Sequence, residues 1–233
     1  MKKNLPVFSG IFVGALLIVL IGIFVLGGDI TASDYVSPCD IGESFAKNEI
    51  DLLCKDGVLE YFVRGDKTYF YPESGVTREY MARAMVKYLG IDEKKYNDYK
   101  LPVNDADMIS EQYLPYVRAA VARGLFPLYA DGSGYRFAPT EGVSREEASY
   151  IASALCSSYI SSSKAESFPD FEDTNEAFRA AMKRVVAYGI IIGYPDGTLR
   201  PQNIISHEEL ALMLSLKRAR DFRKQPSFPF KNS

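Results

Sequence analysis

Three short stretches carry the residue types best suited to chemistry: Thr77-Arg78-Glu79, Ser144-Arg145-Glu146 and Ser206-His207-Glu208. Each opens a run with helical periodicity. A Ser or Thr oxygen at a helix start accepts a backbone amide that otherwise has no partner, worth ~1 kcal/mol. Ser144 with Glu147, and Ser206 with Glu209, have the spacing of a reciprocal cap; after Thr77 that position holds Tyr80. Capping accounts for the hydroxyl and acidic residues. It does not call for an arginine at the first helical position, where the helix dipole disfavours a cation. A forked guanidinium beside free helix amides suits a carboxylate. Arg78 and Arg145 are therefore candidate anion ligands, the alternative being a solvated or salt-bridged arginine. His207 is mostly neutral at pH 7 and cannot grip an anion bidentately. A third site there is weak, pH-dependent or unused.

The elements that position these residues recur along the chain. Gly57-Val58, Gly124-Leu125 and Gly189-Ile190 each close a helical run, at intervals of 67 and 65 residues. Thr77, Ser144 and Ser206 open a later run, at intervals of 67 and 62 residues. Between them lie turn-rich segments ending in Tyr71-Pro72, Ala138-Pro139 and Arg200-Pro201. Each unit reads as helix, loop, helix. Apolar residues recur at helical spacing in the first helices (Ile50, Leu53; Val117, Val121; Met182, Val186) and in the second (Met81, Met85; Ile151, Leu155; Leu210, Leu214). Gly57, Gly124 and Gly189 are placed to stop a helix in a left-handed turn. One unit alone cannot cover two apolar stripes. The expected fold is therefore all-α: three helix-loop-helix repeats forming a pseudo-threefold bundle, with a further N-terminal helix.

That N-terminal helix is expected from Asn4–Gly28, a stretch without charge preceded by Lys2-Lys3. As a helix it would span roughly 37 Å, enough for a hydrocarbon core of ~30 Å. Two readings are open: a retained membrane anchor, or a cleaved secretory signal. With the lysines inside, both place everything after Asp29 outside the cytoplasm. Without residues 1–28 the chain has 25 basic against 30 acidic groups. That balance argues against a nucleic-acid binder held by bulk positive charge. The single histidine excludes a multi-histidine metal centre. Cys39 and Cys54 could form a disulfide in an oxidising compartment, and Cys156 reads as a buried thiol. Asp170-Phe171-Glu172-Asp173 has acidic spacing reminiscent of a calcium loop, but lacks the central glycine and the distal glutamate. No metal or cofactor is expected.

In order, the landmarks resemble the S-layer homology family. Its repeats carry an early aspartate, a helix ending in Gly-Ile, a Tyr-Pro-Asp-Gly-Thr-like loop, Phe-x-Pro, and an Ile-Thr-Arg-Ala-Glu-like helix start. The third unit, with Tyr194-Pro195-Asp196-Gly197-Thr198, is the nearest match. The resemblance implies repeats at 37–92, 100–157 and 168–217, with 1–28 as anchor or signal. Residues 29–36 and the serine-rich 158–167 are then linkers, and 218–233 a basic tail. It also implies noncovalent attachment to the cell wall through an anionic, often pyruvylated, secondary polysaccharide or a peptidoglycan-linked glycan, with the motif arginines in grooves between repeats. The site expected from it comprises Arg78, Arg145 and His207, the capping Thr77, Ser144 and Ser206, and Glu79, Glu146 and Glu208. Asp40, Asp105 and Asp170 match the early aspartate, as helix caps or as acceptors for a sugar hydroxyl. Phe45 and Tyr113 stand near a position where the family usually has tryptophan, which this chain lacks; there they could stack on sugar or belong to the core. A protein–protein scaffold in the envelope is the alternative function. No enzyme is expected, because no acid sits in a catalytic setting outside the caps and turns.

Overall fold

The computed structural model describes residues 35–156 and 162–221. Among them, the body that begins at Ser37 carries six α-helices and two β-hairpins. In chain order these are α1 (Lys47–Lys55), β1 (Phe62–Arg64), β2 (Lys67–Tyr69), α2 (Arg78–Tyr88), α3 (Leu114–Ala122), β3 (Tyr129–Asp131), β4 (Gly134–Arg136), α4 (Arg145–Ala152), α5 (Glu176–Ala187) and α6 (His207–Asp221).

The hairpins correct the all-α expectation: the content is mixed. Phe62 pairs with Tyr69 and Arg64 with Lys67 across a two-residue Gly65-Asp66 turn. Tyr129 pairs with Arg136 and Asp131 with Gly134 across Gly132-Ser133. Gly65 and Gly132 take φ of 65° and 58°, as the first residue of a tight hairpin turn requires. Aromatic and β-branched residues (Phe62, Val63, Thr68, Tyr69) flank the first turn and favour extended backbone. In the third segment Pro195 has no amide to donate, and the chain makes a turn closed by Gly197 N donating to Tyr194 O at 2.9 Å. The proposed membrane helix at 4–28 lies outside the described residues. Among the described residues no helix is long and apolar enough to cross a membrane.

Each second helix packs on the first helix of the next segment: α2 on α3, α4 on α5, and α6 back on α1. The core between them holds Ile50, Leu53, Met81, Met85, Val117, Ile151, Met182, Val185, Leu210 and Leu214, all at most 1% exposed. Each such side chain contributes roughly 1.5–3 kcal/mol through burial. At the centre three strands of loop close a ring. Val76 N donates to Ile205 O (2.9 Å), Ile205 N to Val143 O (3.0 Å), and Val143 N to Val76 O (2.9 Å). The loops continue into helix starts, so this ring fixes how α2, α4 and α6 present their first turns to one another.

Candidate functional site

The helix starts show how much the ring consumes. Thr77, Ser144 and Ser206 cap as their positions require, their oxygens accepting from Tyr80 N, Glu147 N and Glu209 N at 3.4, 3.3 and 3.2 Å. Glu209 completes the reciprocal cap by accepting Ser206 N at 3.0 Å. The next amides are taken by neighbouring loops: Arg78 N by Glu141 O, Arg145 N by Asn203 O, and His207 N by Ser74 O, at 2.8–3.0 Å. Glu79, Glu146 and Glu208 amides likewise donate to Pro139, Pro201 and Pro72 carbonyls. The free helix amides expected to share in anion binding are therefore already bonded, and any anion contact falls to side chains.

The acids of the motif tie segment to segment. Glu79 accepts Ser110 N and Ser110 Oγ (2.9 and 2.8 Å), Glu146 accepts Asn175 N (2.8 Å), and Glu208 accepts Ser44 Oγ (2.7 Å). Each partner lies just before the first helix of the following segment, and for Glu208 that is the first segment again. Asp105 and Asp170 make no side-chain cap for the helical turns they precede, and Asp40 acts in the same way as both. Their carboxylates accept consecutive backbone amides: Phe70 and Tyr71, Phe137 and Ala138, Leu199 and Arg200, all at 2.7–3.0 Å. Tyr71, Ala138 and Arg200 have φ of 57°, 58° and 52°. A non-glycine residue there is strained, and the aspartate fork holds it in place.

The three motif side chains have different surroundings. Arg78 is fully buried. Its Nε donates to Phe137 O (2.5 Å), Nη1 to Tyr129 Oη (3.1 Å) and Nη2 to Pro127 O (2.7 Å). The guanidinium pairs with Glu147 and lies 4.5–5.4 Å from the Phe126, Tyr129 and Phe137 ring centres. Burial draws its pKa below the ordinary value, opposed by Tyr129. His207 is also buried, its Nδ1 3.1 Å from Phe70 O, which fixes the proton on Nδ1. Its ring stacks on Tyr80 at 4.5 Å and 12°. Burial lowers its pKa, so it is neutral.

Arg145 differs from both. It is 5% exposed, its Nη2 donates to Ile192 O at 2.5 Å, and its Nη1 lies 3.7 Å from Glu209. Its guanidinium covers the Tyr194 ring at 4.7 Å. Its buried Nε has no hydrogen-bond partner among the described residues. It lines a pocket of about 60 Å³ with Phe45, Ile190, Ile192, Tyr194, Glu209 and Met213. Burial, then the hydrogen bond to Glu209, pushes the Tyr194 hydroxyl up to about 12, so it stays protonated and donates to that carboxylate. An orphaned buried donor on a residue that walls an apolar pocket calls for an acceptor. Phe45 thus joins Arg145. Tyr113 does not: it is buried, with its hydroxyl on Glu60 at 2.7 Å. Tyr194 was missed in the sequence, although Tyr129 and Tyr194 each stand five residues beyond a helix-closing glycine. Cys39 is exposed and Cys54 buried, and both are free thiols. Among the described residues no acidic, histidine or cysteine cluster could hold a metal.

Residues 104–149 and 167–211 match the family model of the S-layer homology domain. The chain is also 30% identical over 155 residues to cell surface glycoprotein 1 of Acetivibrio thermocellus. That alignment covers 63% of this chain and 6% of the relative. S-layer homology domains attach proteins to cell-wall polysaccharide.

Proposed function

We propose that this chain is a noncovalent cell-wall attachment module that grips an anionic, pyruvylated secondary polysaccharide at the pocket beside Arg145. One observation carries the reading: the partnerless Nε of a nearly buried arginine in an apolar-walled pocket. A pyruvate ketal offers a carboxylate for that donor and a methyl group for Phe45, Ile192 and Met213. The closed ring supports treating residues 37–92 as a third S-layer homology repeat, since Val76 and Asp40 occupy the same places in the hydrogen-bond pattern as their counterparts. The likeness to a cell surface protein supports an envelope location and an attachment role without catalysis. Residues 4–28 carry no part of this proposal.

The test is retention on purified wall sacculi, native against sacculi stripped of secondary polymer. The full chain is retained on native sacculi only, and Arg145→Ala lowers its retention about tenfold or more, the loss of one charge-assisted hydrogen-bonded contact. Equal retention on both preparations refutes the proposal.

A further inference from the structure

A cleft of about 440 Å³ lies beside α3, against about 60 Å³ for the pocket beside Arg145, and the two share no lining residue. Its volume falls within the roughly 300–1,000 Å³ of small-molecule sites. One wall is the segment between α2 and α3, with Asp98, Tyr99, Lys100 and Leu101. The other holds Asp107, from the 3₁₀ turn before α3, and Leu114 and Arg118 of α3 itself. Leu114 and Arg118 stand one helical turn apart, so both reach the same wall.

The connecting wall is preformed. Asp92 accepts Lys94 N at 3.2 Å and caps a 3₁₀ turn, Glu93–Tyr96. Tyr99 N then donates to Tyr96 O at 3.0 Å, and Glu93 pairs with Lys87 of α2 at 3.4 Å. From α3, Arg118 Nη1 donates to Asn97 O at 2.7 Å. The segment is thus tied to both helices before a ligand arrives, which lowers the ordering cost of binding. The bond to Asn97 uses one of the five donors of the guanidinium. Among the described residues, the side chains of Asp98, Lys100 and Asp107 take part in no hydrogen bond or ion pair, and all three are exposed.

The charges select the ligand. Each wall carries one of each sign, Asp98 with Lys100 and Asp107 with Arg118. Neither an anion nor a cation meets a field of one sign there, and a zwitterion finds no two walls of opposite charge. What the cleft offers is acceptors and donors side by side, around apolar surface from Tyr99, Leu101 and Leu114. A carboxylate accepts from two hydroxyls, and a guanidinium donates in pairs. Neighbouring hydroxyls of a pyranose satisfy both, while its C–H face covers the phenol ring and the leucines.

We propose that this cleft binds uncharged pyranose units of a glycan, with Asp98, Asp107 and Arg118 holding hydroxyls and Tyr99 the ring face. The proposal does not depend on the anionic reading of Arg145. Where both hold, one chain grips wall glycan at two chemically different points, and the second contact raises avidity through effective concentration.

The experiment follows backbone amide shifts of the full chain by nuclear magnetic resonance. The probes are two uncharged tetrasaccharides, cellotetraose and the N-acetylglucosamine tetramer, a synthetic hexoside carrying a pyruvate ketal, and the dipeptide Lys-Glu. At least one tetrasaccharide gives saturable shifts at residues 98–101 and 114–118. Tyr99→Ala and Asp107→Ala each weaken that binding by about tenfold or more. Melting curves establish that the variants fold, and Asp107→Ala, at an exposed side chain with no bonded partner among the described residues, serves alone if Tyr99→Ala does not fold. Absence of these shifts with both sugars overturns the proposal, as does undiminished affinity in the folded variants. Shifts at the same residues from the dipeptide alone assign the cleft to a zwitterion and also overturn it. Shifts from the ketal confined to the Arg145 pocket leave the anionic reading standing without this one, and tetrasaccharide binding without any ketal response at Arg145 does the reverse.

Discussion

Replacing Arg78 with alanine separates a joint from a ligand contact. The substitution removes three hydrogen bonds to Phe137, Tyr129 and Pro127 and three cation–ring contacts. It also leaves Glu147, 2% exposed, without its cation. Removing one partner of a buried pair costs about 3–5 kcal/mol, because the remaining charge stays desolvated. At roughly 2–4 °C per kcal/mol for a chain of this size, the melting temperature falls by about 6–20 °C. The pH dependence has a definite sign. In the variant, protonation neutralises the stranded, desolvated carboxylate of Glu147, so the deficit shrinks as pH falls. Combining Arg78→Met with Glu147→Gln removes both charges and recovers most of the loss. Circular dichroism melts of the three proteins across a pH series provide the measurement. A drop below ~2 °C for Arg78→Ala, or no recovery in the double variant, refutes the argument that Arg78 is a structural joint.

Three further outcomes follow from the same contacts. Asp105→Ala strips the acceptors from the buried amides of Phe137 and Ala138, costing about 2–5 kcal/mol by urea unfolding, against ~1 kcal/mol for Thr77→Ala. Burial lowers the His207 pKa from its ordinary 6.5, so the unfolded chain binds more protons. Stability therefore falls as pH drops below ~6.5, by at most ~1.4 kcal/mol per pH unit, and a titration of His207→Phe by chemical unfolding lacks this component. Cys39 reacts with a maleimide in the native protein, while Cys54, whose pKa burial pushes up to about 12, reacts only on unfolding; equal labelling rates contradict that placement.

Much of this architecture was legible in the sequence because periodicity records burial. Ile50, Val117 and Met182 recur at helical spacing and occupy one core. Gly57, Gly124 and Gly189 take φ of 66–69°, as helix-stopping residues do. The hairpins were not legible: three-residue strands are too short for alternation to stand out from a turn-rich loop. Site placement escaped for a different reason. Whether an arginine at a helix start faces solvent or core depends on residues elsewhere in the chain, such as Phe126 and Phe137 for Arg78. Likewise Asp40, Asp105 and Asp170 bond amides 29–33 residues away, a relation that no local pattern expresses.

The central claim, that the vacant donor of Arg145 is where anionic glycan binds, is tested most directly by the arginine Nε–H resonances in nuclear magnetic resonance. During titration with the pyruvate-ketal hexoside, the Arg145 signal shifts saturably while that of Arg78, already bonded to Phe137 O, stays in place. A stationary Arg145 resonance at saturating ligand, or a shift confined to Arg78, contradicts the account.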